Sequence, residues 1–361
     1  MIVKSLELSQ FRNYENLKIE FDQHTNILFG NNGQGKTNIL EAIYMAGTSR
    51  SHRSSKDKEM IRFGADESHI RLILEKKGLD IQIDLHLRKN KSKGIAINRV
   101  PIRKAGELFG ILNVVVFSPE DLQIIKEGPS ERRYFMNQIL SQIDKVYLYE
   151  LSKYHKILNQ RNQLLKDIYY NSSLKDTLDV WDEQLIMTGS KIIERRKKLE
   201  DELCRIIAPI HRDITDGKEE IQIRYEENTS SEQYRENIRR CRERDLKDGT
   251  SHVGPHRDDL KFEVNGIDMR HYGSQGQQRT CALSLKLASI ELMKNSVNDM
   301  PVLLLDDVLS ELDSQRQNLL LEHIKNLQTI ITCTGFDEFV KNRFALDKVF
   351  EVDDGHVIAR S

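Results

Sequence analysis

The stretch Gly30-Asn31-Asn32-Gly33-Gln34-Gly35-Lys36-Thr37 decides the reading of this 361-residue chain. It has the spacing G-x-x-x-x-G-K-[ST], follows the apolar run 27–29 and opens residues of helical spacing over 37–46. Its glycines permit backbone angles that turn successive amides inward, making a nest for phosphate oxygens. The helix start adds partial positive charge at the same place. The amides of Gly30, Asn31, Asn32, Gly33, Gln34 and Gly35 then cradle a triphosphate, Lys36 reaches its β and γ phosphates, and the Thr37 hydroxyl holds magnesium. A glycine-rich strand-to-helix turn with no ligand is the plainer alternative.

Two later phrases weigh against that alternative. PVLLLDD at 301–307 reads as an apolar strand ending in paired acids, at the sheet edge where nucleotide sites gather in open α/β folds. Asp306 would contact magnesium, directly or through water, and Asp307 would orient or deprotonate the attacking water. Many related ATPases carry glutamate at the second position, so the shorter aspartate puts fast hydrolysis in question. YGSQGQQ at 272–278 opens a helix bearing Cys281, Leu285, Ala288 and Leu292. The Ser274 hydroxyl and free amides, those of Gly276 and Gln277 among them, form a second anion-binding surface. Alone, it reads as a serine-capped helix. The expected fold is α/β, an ABC-type P-loop ATPase head of mixed sheet and helices with an inserted α-helical lobe. In such heads the cradle and the glycine turn lie on opposite sides. Two chains head to tail would therefore bury two ATP molecules, each between a cradle and a partner's Ser274, with closure tied to the γ phosphate.

Residues 1–115 are β-rich, with strand-like runs at 1–8, 17–21 and 25–29. Alternation over 70–75 and 79–87 flanks a Lys77-Gly78 turn, 88–93 makes a basic hairpin tip, and 112–117 is a buried strand. From Pro129 the period changes. Tyr147, Leu151, Tyr154, Leu158, Leu165 and Ile168 form one stripe; Leu178, Trp181, Leu185, Ile192, Leu199, Leu203 and Ile206 form another. A polar turn at 170–173 joins them, and Pro209 is expected to end the second. This pattern predicts an antiparallel helical hairpin. A charged connector follows at 235–248. Strands are expected near 262–264, 302–305, 329–332 and 349–352, and a helix over 277–295. The domain reading is 1–120 for the first part of the head, 121–250 for the lobe and connector, and 251–361 for the rest.

Charged residues at 31% beside hydrophobic ones at 38% describe a globular chain rather than a disordered one. The longest apolar runs are strand-sized, which argues against a membrane span, and the N-terminus lacks the layout of a signal peptide. Cys204, Cys241, Cys281 and Cys333 have no paired spacing and read as reduced cytoplasmic thiols. With a net charge of −1, a nucleic-acid partner must be held by local patches. Candidates are Arg50, His52, Arg53, Lys56 and Lys58, then Arg88, Lys89, Lys91 and Lys93, and the cluster 195–198. Such groups pair with backbone phosphates and give sequence-independent binding. Each run also reads as a solvated face.

Further phrases carry a resemblance. They are Phe11-Arg12-Asn13-Tyr14, Thr48-Ser49-Arg50-Ser51-His52-Arg53 and Phe117-Ser118-Pro119-Glu120-Asp121-Leu122, with Arg132-Arg133 and Gly254-Pro255-His256-Arg257-Asp258-Asp259. With the three nucleotide phrases, they make the chain resemble, end to end, the RecF family of bacterial recombination mediators, relatives of the SMC heads. The resemblance implies ATP with Mg2+, Arg12 among the nucleotide contacts, and an ATP-induced homodimer on gapped duplex or a junction of single and double strands. It also implies slow DNA-stimulated hydrolysis serving as a switch, and cooperation with RecO and RecR in loading RecA during recombinational repair and the SOS response. Thr37 and Asp306 are 269 positions apart, room for a helical lobe but not for the long coiled coil of SMC proteins. The γ-phosphate-sensing glutamine and switch histidine of wider ABC ATPases have no evident counterpart; 118–121 and 332–334 stand in their places. Three rivals stay open: an ATP-bound DNA scaffold without turnover, a transporter ATPase subunit, and an SMC-like nuclease partner.

Overall fold

The computed structural model describes residues 1–54, 56–335 and 348–360, without the Glu311 side chain. It divides into two compact units, Met1–Asp121 with Ser289–Ser361, and Leu122–Ala288. One boundary between them falls at 121/122. The second lies inside a helix at 288/289 rather than at 250, because residues 251–288 share their contacts with the inserted lobe.

In the first unit, alternating sequence builds one antiparallel sheet. Its strands are β1 (Ile2–Phe11), β2 (Tyr14–Glu20), β4 (Glu67–Lys76), β5 (Leu79–Arg88), β6 (Lys91–Ile97) and β7 (Val100–Pro101), in the order β2-β1-β4-β5-β6-β7. Leu6 pairs with Leu72 and Leu8 with Ile70, so one face is continuously apolar. The β4–β5 turn has Lys77 at φ 51° and Gly78 at φ 77°, the two positive angles that a tight hairpin turn requires.

The second sheet contains β3 (Thr25–Phe29), β8 (Val114–Phe117), β12 (Val302–Asp306), β13 (Thr329–Cys333), β14 (Lys348–Asp353) and β15 (His356–Arg360). The order is β15-β14-β3-β13-β12-β8, parallel except for β15. Strands β8, β12 and β13 are buried at every residue, as expected of parallel strands covered on both faces. Helix α1 (Lys36–Thr48) is buried on nearly every side. A single core joins Leu6, Leu72 and Leu85 of the first sheet, Ile39, Leu40 and Ile43 of α1, and Leu28, Leu304 and Ile330 of the second.

The second unit holds α2 (Leu122–Lys126), α3 (Pro129–Ile143), α4 (Lys145–Tyr170), α5 (Leu178–Ile214) and α6 (Tyr234–Asp248). It also holds β9 (Ile221–Glu226), β10 (Asp259–Val264), β11 (Ile267–Asp268) and α7 (Met269–Tyr272), and α8 (Gln275–Val297) starts in it. The two apolar stripes meet as α4 against α5, joined by a short helical turn at 172–177. Two expectations are corrected, and one element is added. Pro209 does not end α5; the helix runs on to Ile214, because burial of Ile207, Ile210 and Ile214 outweighs the one lost backbone hydrogen bond. The stretch 235–248 is no loose connector but α6, anchored by buried Tyr234, Ile238 and Asp245. Strand β9, not anticipated, pairs antiparallel with β10 and buries Ile221, Ile223 and Tyr225.

One guanidinium ties three helices together. Arg161 on α4, fully buried, donates to Asp182 on α5 at 2.6 Å, to Asp245 on α6 at 2.8 Å and to Ser251 Oγ at 2.7 Å. Removing one partner of such a pair costs roughly 3–5 kcal/mol, since a charge is left buried and unmatched. Nearby, His256 Nε2 lies 3.0 Å from the Ser251 carbonyl and Nδ1 lies 2.6 Å from Tyr154 Oη. A carbonyl only accepts, so Nε2 carries a proton. Burial pushes its pKa from 6.5 down to about 4. Between those values the unfolded chain holds a proton that the folded chain refuses, so stability should fall as pH drops through the window. The loss is about 3 kcal/mol. Urea midpoints from neutral pH down to about 4 should show this acid slope in the wild type and a shallower one in His256→Asn; equal slopes would contradict it.

Candidate nucleotide site

The parallel register sets the site. Strands β3 and β12 are separated only by β13, so their carboxyl ends finish side by side. From β3 the chain leaves through 30–35 and enters α1 at Lys36. Gly30 has φ 151°, and a Cβ there would stand 2.2 Å from the Val352 carbonyl oxygen, so strand β14 leaves no room for a side chain. Asn31, Asn32 and Gly33 are exposed, an open rim. Gln34 braces the loop from outside: its carbonyl accepts from Asn13 Nδ2 at 2.9 Å and its side chain from the Asp354 amide.

Lys36 is 6% exposed, and its Nζ donates to the carbonyls of Gly30 at 2.7 Å and Asn31 at 2.8 Å. Burial lowers the pKa of the ammonium, against which the Asp307 and Asp306 carboxylates pull upward. Thr37 Oγ1 donates to Asp306 Oδ1 at 2.8 Å, and Thr332 Oγ1 donates to the same oxygen at 2.7 Å. Asp307 takes the left-handed conformation, φ 53°, and its amide donates to Thr332 Oγ1 at 3.0 Å. A non-glycine residue held there costs about 1–3 kcal/mol and marks a position over-determined by its surroundings.

Arg12 is clamped rather than free. Its Nε and Nη2 donate to the two oxygens of Glu41 at 2.8 and 2.7 Å, and Nη1 donates to the Glu59 carbonyl. Glu41 is fully buried and also accepts from the Ser51 hydroxyl. Burial raises its pKa, but Arg12 and Ser51 outweigh that and hold it below the usual carboxylate value.

The basic candidates divide. Arg50, Arg53 and Lys56 are exposed. His52 is not a surface cation: its ring packs against Tyr44, and both nitrogens are buried without a partner among the described residues. Burial lowers its pKa, so it is a neutral group. Lys93 is engaged with Asp57 and the Ser49 carbonyl. The cluster 195–198 is largely internal pairing, with Arg195 on Asp144, Arg196 on Asp258 and Lys197 on Glu227.

In the second unit, Ser274 and Gly276 are exposed at the start of α8. Ser274 Oγ accepts from the Gln277 amide at 3.2 Å, and Gln277 Oε1 accepts from the Ser274 amide at 3.1 Å, a capping box. Gln277 Nε2 also donates to Glu219 at 2.9 Å, so that side chain serves the helix start and its neighbour. Gln275 and Gly276 lie in the first turn, where amides have no helical partner. Sequence reasoning took up neither Glu41 nor Asn38, and it carried Asn13 and Thr332 only within the phrases 11–14 and 332–334. Glu41 had a signal: an acid four residues after Thr37 in a helix rich in apolar residues.

The family model described as the RecF/RecN/SMC N terminal domain matches residues 2–357. The DNA replication and repair protein RecF of Agathobacter rectalis is 59% identical over 357 residues, 99% of either chain. That of Clostridium acetobutylicum is 47% identical over 366 residues, again 99% of either chain. The chain belongs to the RecF family. Among solved structures, one of the recombination mediator protein RecF-ATP in the RecFOR pathway aligns with TM-score 0.94 and 35% identity, covering 100% of this chain and 98% of that one. An SMC head from Pyrococcus furiosus aligns at TM-score 0.57 and 18% identity over 100% of this chain and 96% of its own, a likeness of fold alone. The ABC-type head with an inserted helical region is thus the fold of the family. Among the described residues no helix is long and apolar enough to cross a membrane.

The loop geometry yields a pairwise test. At Gly33, φ 81°, an added Cβ meets nothing within 4 Å, so Gly33→Ala should cost only the backbone term, about 1 kcal/mol. Gly30→Ala adds the clash with Val352 and should cost at least about 2 kcal/mol more. Equal urea midpoints for the two variants would contradict this packing.

Proposed function

We propose that the chain is an ATP-dependent DNA-binding protein of recombinational repair, two copies of which close on ATP. The observation that carries the reading is the contact of Thr37 with Asp306 beneath an open glycine cradle. In this reading the amides of 30–35 bind the phosphates, and Lys36 turns from its own loop carbonyls to the β and γ oxygens. Magnesium typically keeps several waters and takes one or two protein ligands beside the phosphates. A hydroxyl and a carboxylate already in contact fit that demand, whereas no cluster of three metal-binding side chains exists among the described residues. Bound there, magnesium would neutralise charge on the β and γ oxygens. Asp307, fixed by its backbone, orients the attacking water, and its short side chain makes turnover slow. Arg12, presented by Glu41, adds a nucleotide contact.

The exposed Ser274, with the amide of Gly276, would meet the γ phosphate bound to a second copy; the Gln277 amide, expected there too, is instead taken by Ser274 Oγ. Arg50, Arg53 and Lys56 would pair with phosphates of a gapped duplex or a single-to-double-strand junction; His52 is left out of that set. The similarity to a recombination mediator solved with ATP in the RecFOR pathway supports the wider role. In it the ATP-bound dimer works in the cytoplasm with RecO and RecR to load RecA, within the SOS response. A second reading, an ATP-bound DNA scaffold without turnover, is favoured by Asp307 standing where glutamate is common.

Lys36→Ala should abolish both ATP binding and ATP-induced dimers in sedimentation. Ser274→Arg should keep ATP binding and lose the dimer; normal dimerisation of that variant would refute the shared site. DNA binding should tighten strongly as salt falls from roughly 200 to 50 mM, with a smaller slope in Arg53→Ala. A flat salt response would remove the phosphate contacts from the account. Phosphate release with and without DNA separates the switch from the scaffold.

A further inference from the structure

Glu41, which the functional reading uses only to present Arg12, has a second partner in Ser51. It sits on α1 one turn beyond Thr37, on a helix otherwise packed with Ile39, Leu40, Ala42 and Ile43. An apolar side chain would satisfy such a place, and a lone carboxylate there would be costly. This one is fully matched, and its two partners come from different segments. Oε2 accepts from Arg12 Nε and Oε1 from Arg12 Nη2, while Oε1 also accepts from Ser51 Oγ. Ser51 Oγ in turn accepts the amides of Arg53 at 2.9 Å and Ser54 at 3.0 Å, so the hydroxyl is the hub about which 51–54 folds. A second path runs in parallel: Arg53 Nη1 donates to Asn38 Oδ1 at 3.4 Å, Asn38 Nδ2 to Asn13 Oδ1 at 2.8 Å, and Asn13 Nδ2 to the Gln34 carbonyl of the cradle at 2.9 Å. Arg50 and Arg53 are exposed at the outer end of these paths.

We propose that Glu41 is a positioning residue that couples DNA held by the segment 49–54 to the nucleotide held by Arg12, through the Ser51 hydroxyl. The inference rests on the reading that Arg12 touches ATP and Arg50 and Arg53 touch DNA phosphates. A phosphate drawing Arg53 outward pulls on the two amides that Ser51 accepts, and Ser51 shares the Glu41 oxygen that fixes Nη2 of Arg12. The carboxylate cannot follow one partner without changing its geometry to the other. Buried ion pairs are best attested as devices of this sort, setting a register rather than adding stability. Coupling by such a link is reciprocal: ATP tightens DNA binding by the same factor by which DNA tightens ATP binding.

The test uses the full-length chain. ATP affinity is measured with and without a gapped duplex, and duplex affinity with and without ATP, for the wild type, Ser51→Ala, Ser51→Thr and Glu41→Gln. The wild type should show a coupling factor of at least about fivefold. In Ser51→Ala and Glu41→Gln that factor should approach one, and in Ser51→Ala each ligand alone should bind within about threefold of wild type. Ser51→Thr, which keeps the hydroxyl, should restore it. Ser51→Ala removes no charge, so it keeps the proposal testable even if Glu41→Gln folds poorly. Coupling intact in Ser51→Ala would overturn the inference and leave the functional reading standing. A wild type whose ATP affinity ignores DNA would overturn both.

Discussion

The contact between Thr37 and Asp306 is the constraint on which the first unit depends. The two residues are 269 positions apart in the chain and 2.8 Å apart in space. A parallel sheet in which a single strand separates β3 from β12 brings their carboxyl ends together. Thr332 at the end of that intervening strand shares the Asp306 oxygen and also fixes the Asp307 backbone, so three strand ends converge on one carboxylate. The inserted residues must leave and return without disturbing that register, and they do so as a compact unit of their own.

Several buried charged groups share one feature: each is held by partners from separate elements. Arg161 joins three helices and Arg196 joins α5 to Asp258, while Glu41 joins α1 to the segments on either side of it. Pairs like these add little net stability relative to apolar packing, but breaking one is expensive, so they select a single arrangement. In the first unit the selected arrangement presents Arg12 and an open cradle. In the second it gives a lobe in which long helices cannot slide past one another.

Much of this was legible in the residues. The strand-to-helix loop at 30–35, the strand that runs into Asp306 and the two apolar stripes were legible because each rests on local chemistry or a short period. The errors share a cause: tertiary contacts outweighed a local signal. Pro209 breaks helices in isolation but not where Ile207, Ile210 and Ile214 are buried around it. The charges of 235–248 hid Tyr234 and Ile238, two anchors that suffice to dock α6. His52 looked like one more cation in a basic run, yet the chain turns its ring inward against Tyr44. Glu41 was visible as an acid in a largely apolar helix, but its partners lie 29 positions before it and 10 after, beyond the reach of any local pattern.

The central claim, that each ATP is enclosed by the cradle of one copy and the Ser274 turn of another, has a direct measurement. Lys36→Ala spoils only the cradle and Ser274→Arg only the turn, so mixing them creates a pair with one intact composite site and one doubly damaged site. Sedimentation of the equimolar mixture with ATP should show dimers that neither variant forms alone, with ATP bound to half of the chains. A mixture that stays as monomeric as its separate components, under conditions where the wild type dimerises, would contradict the account.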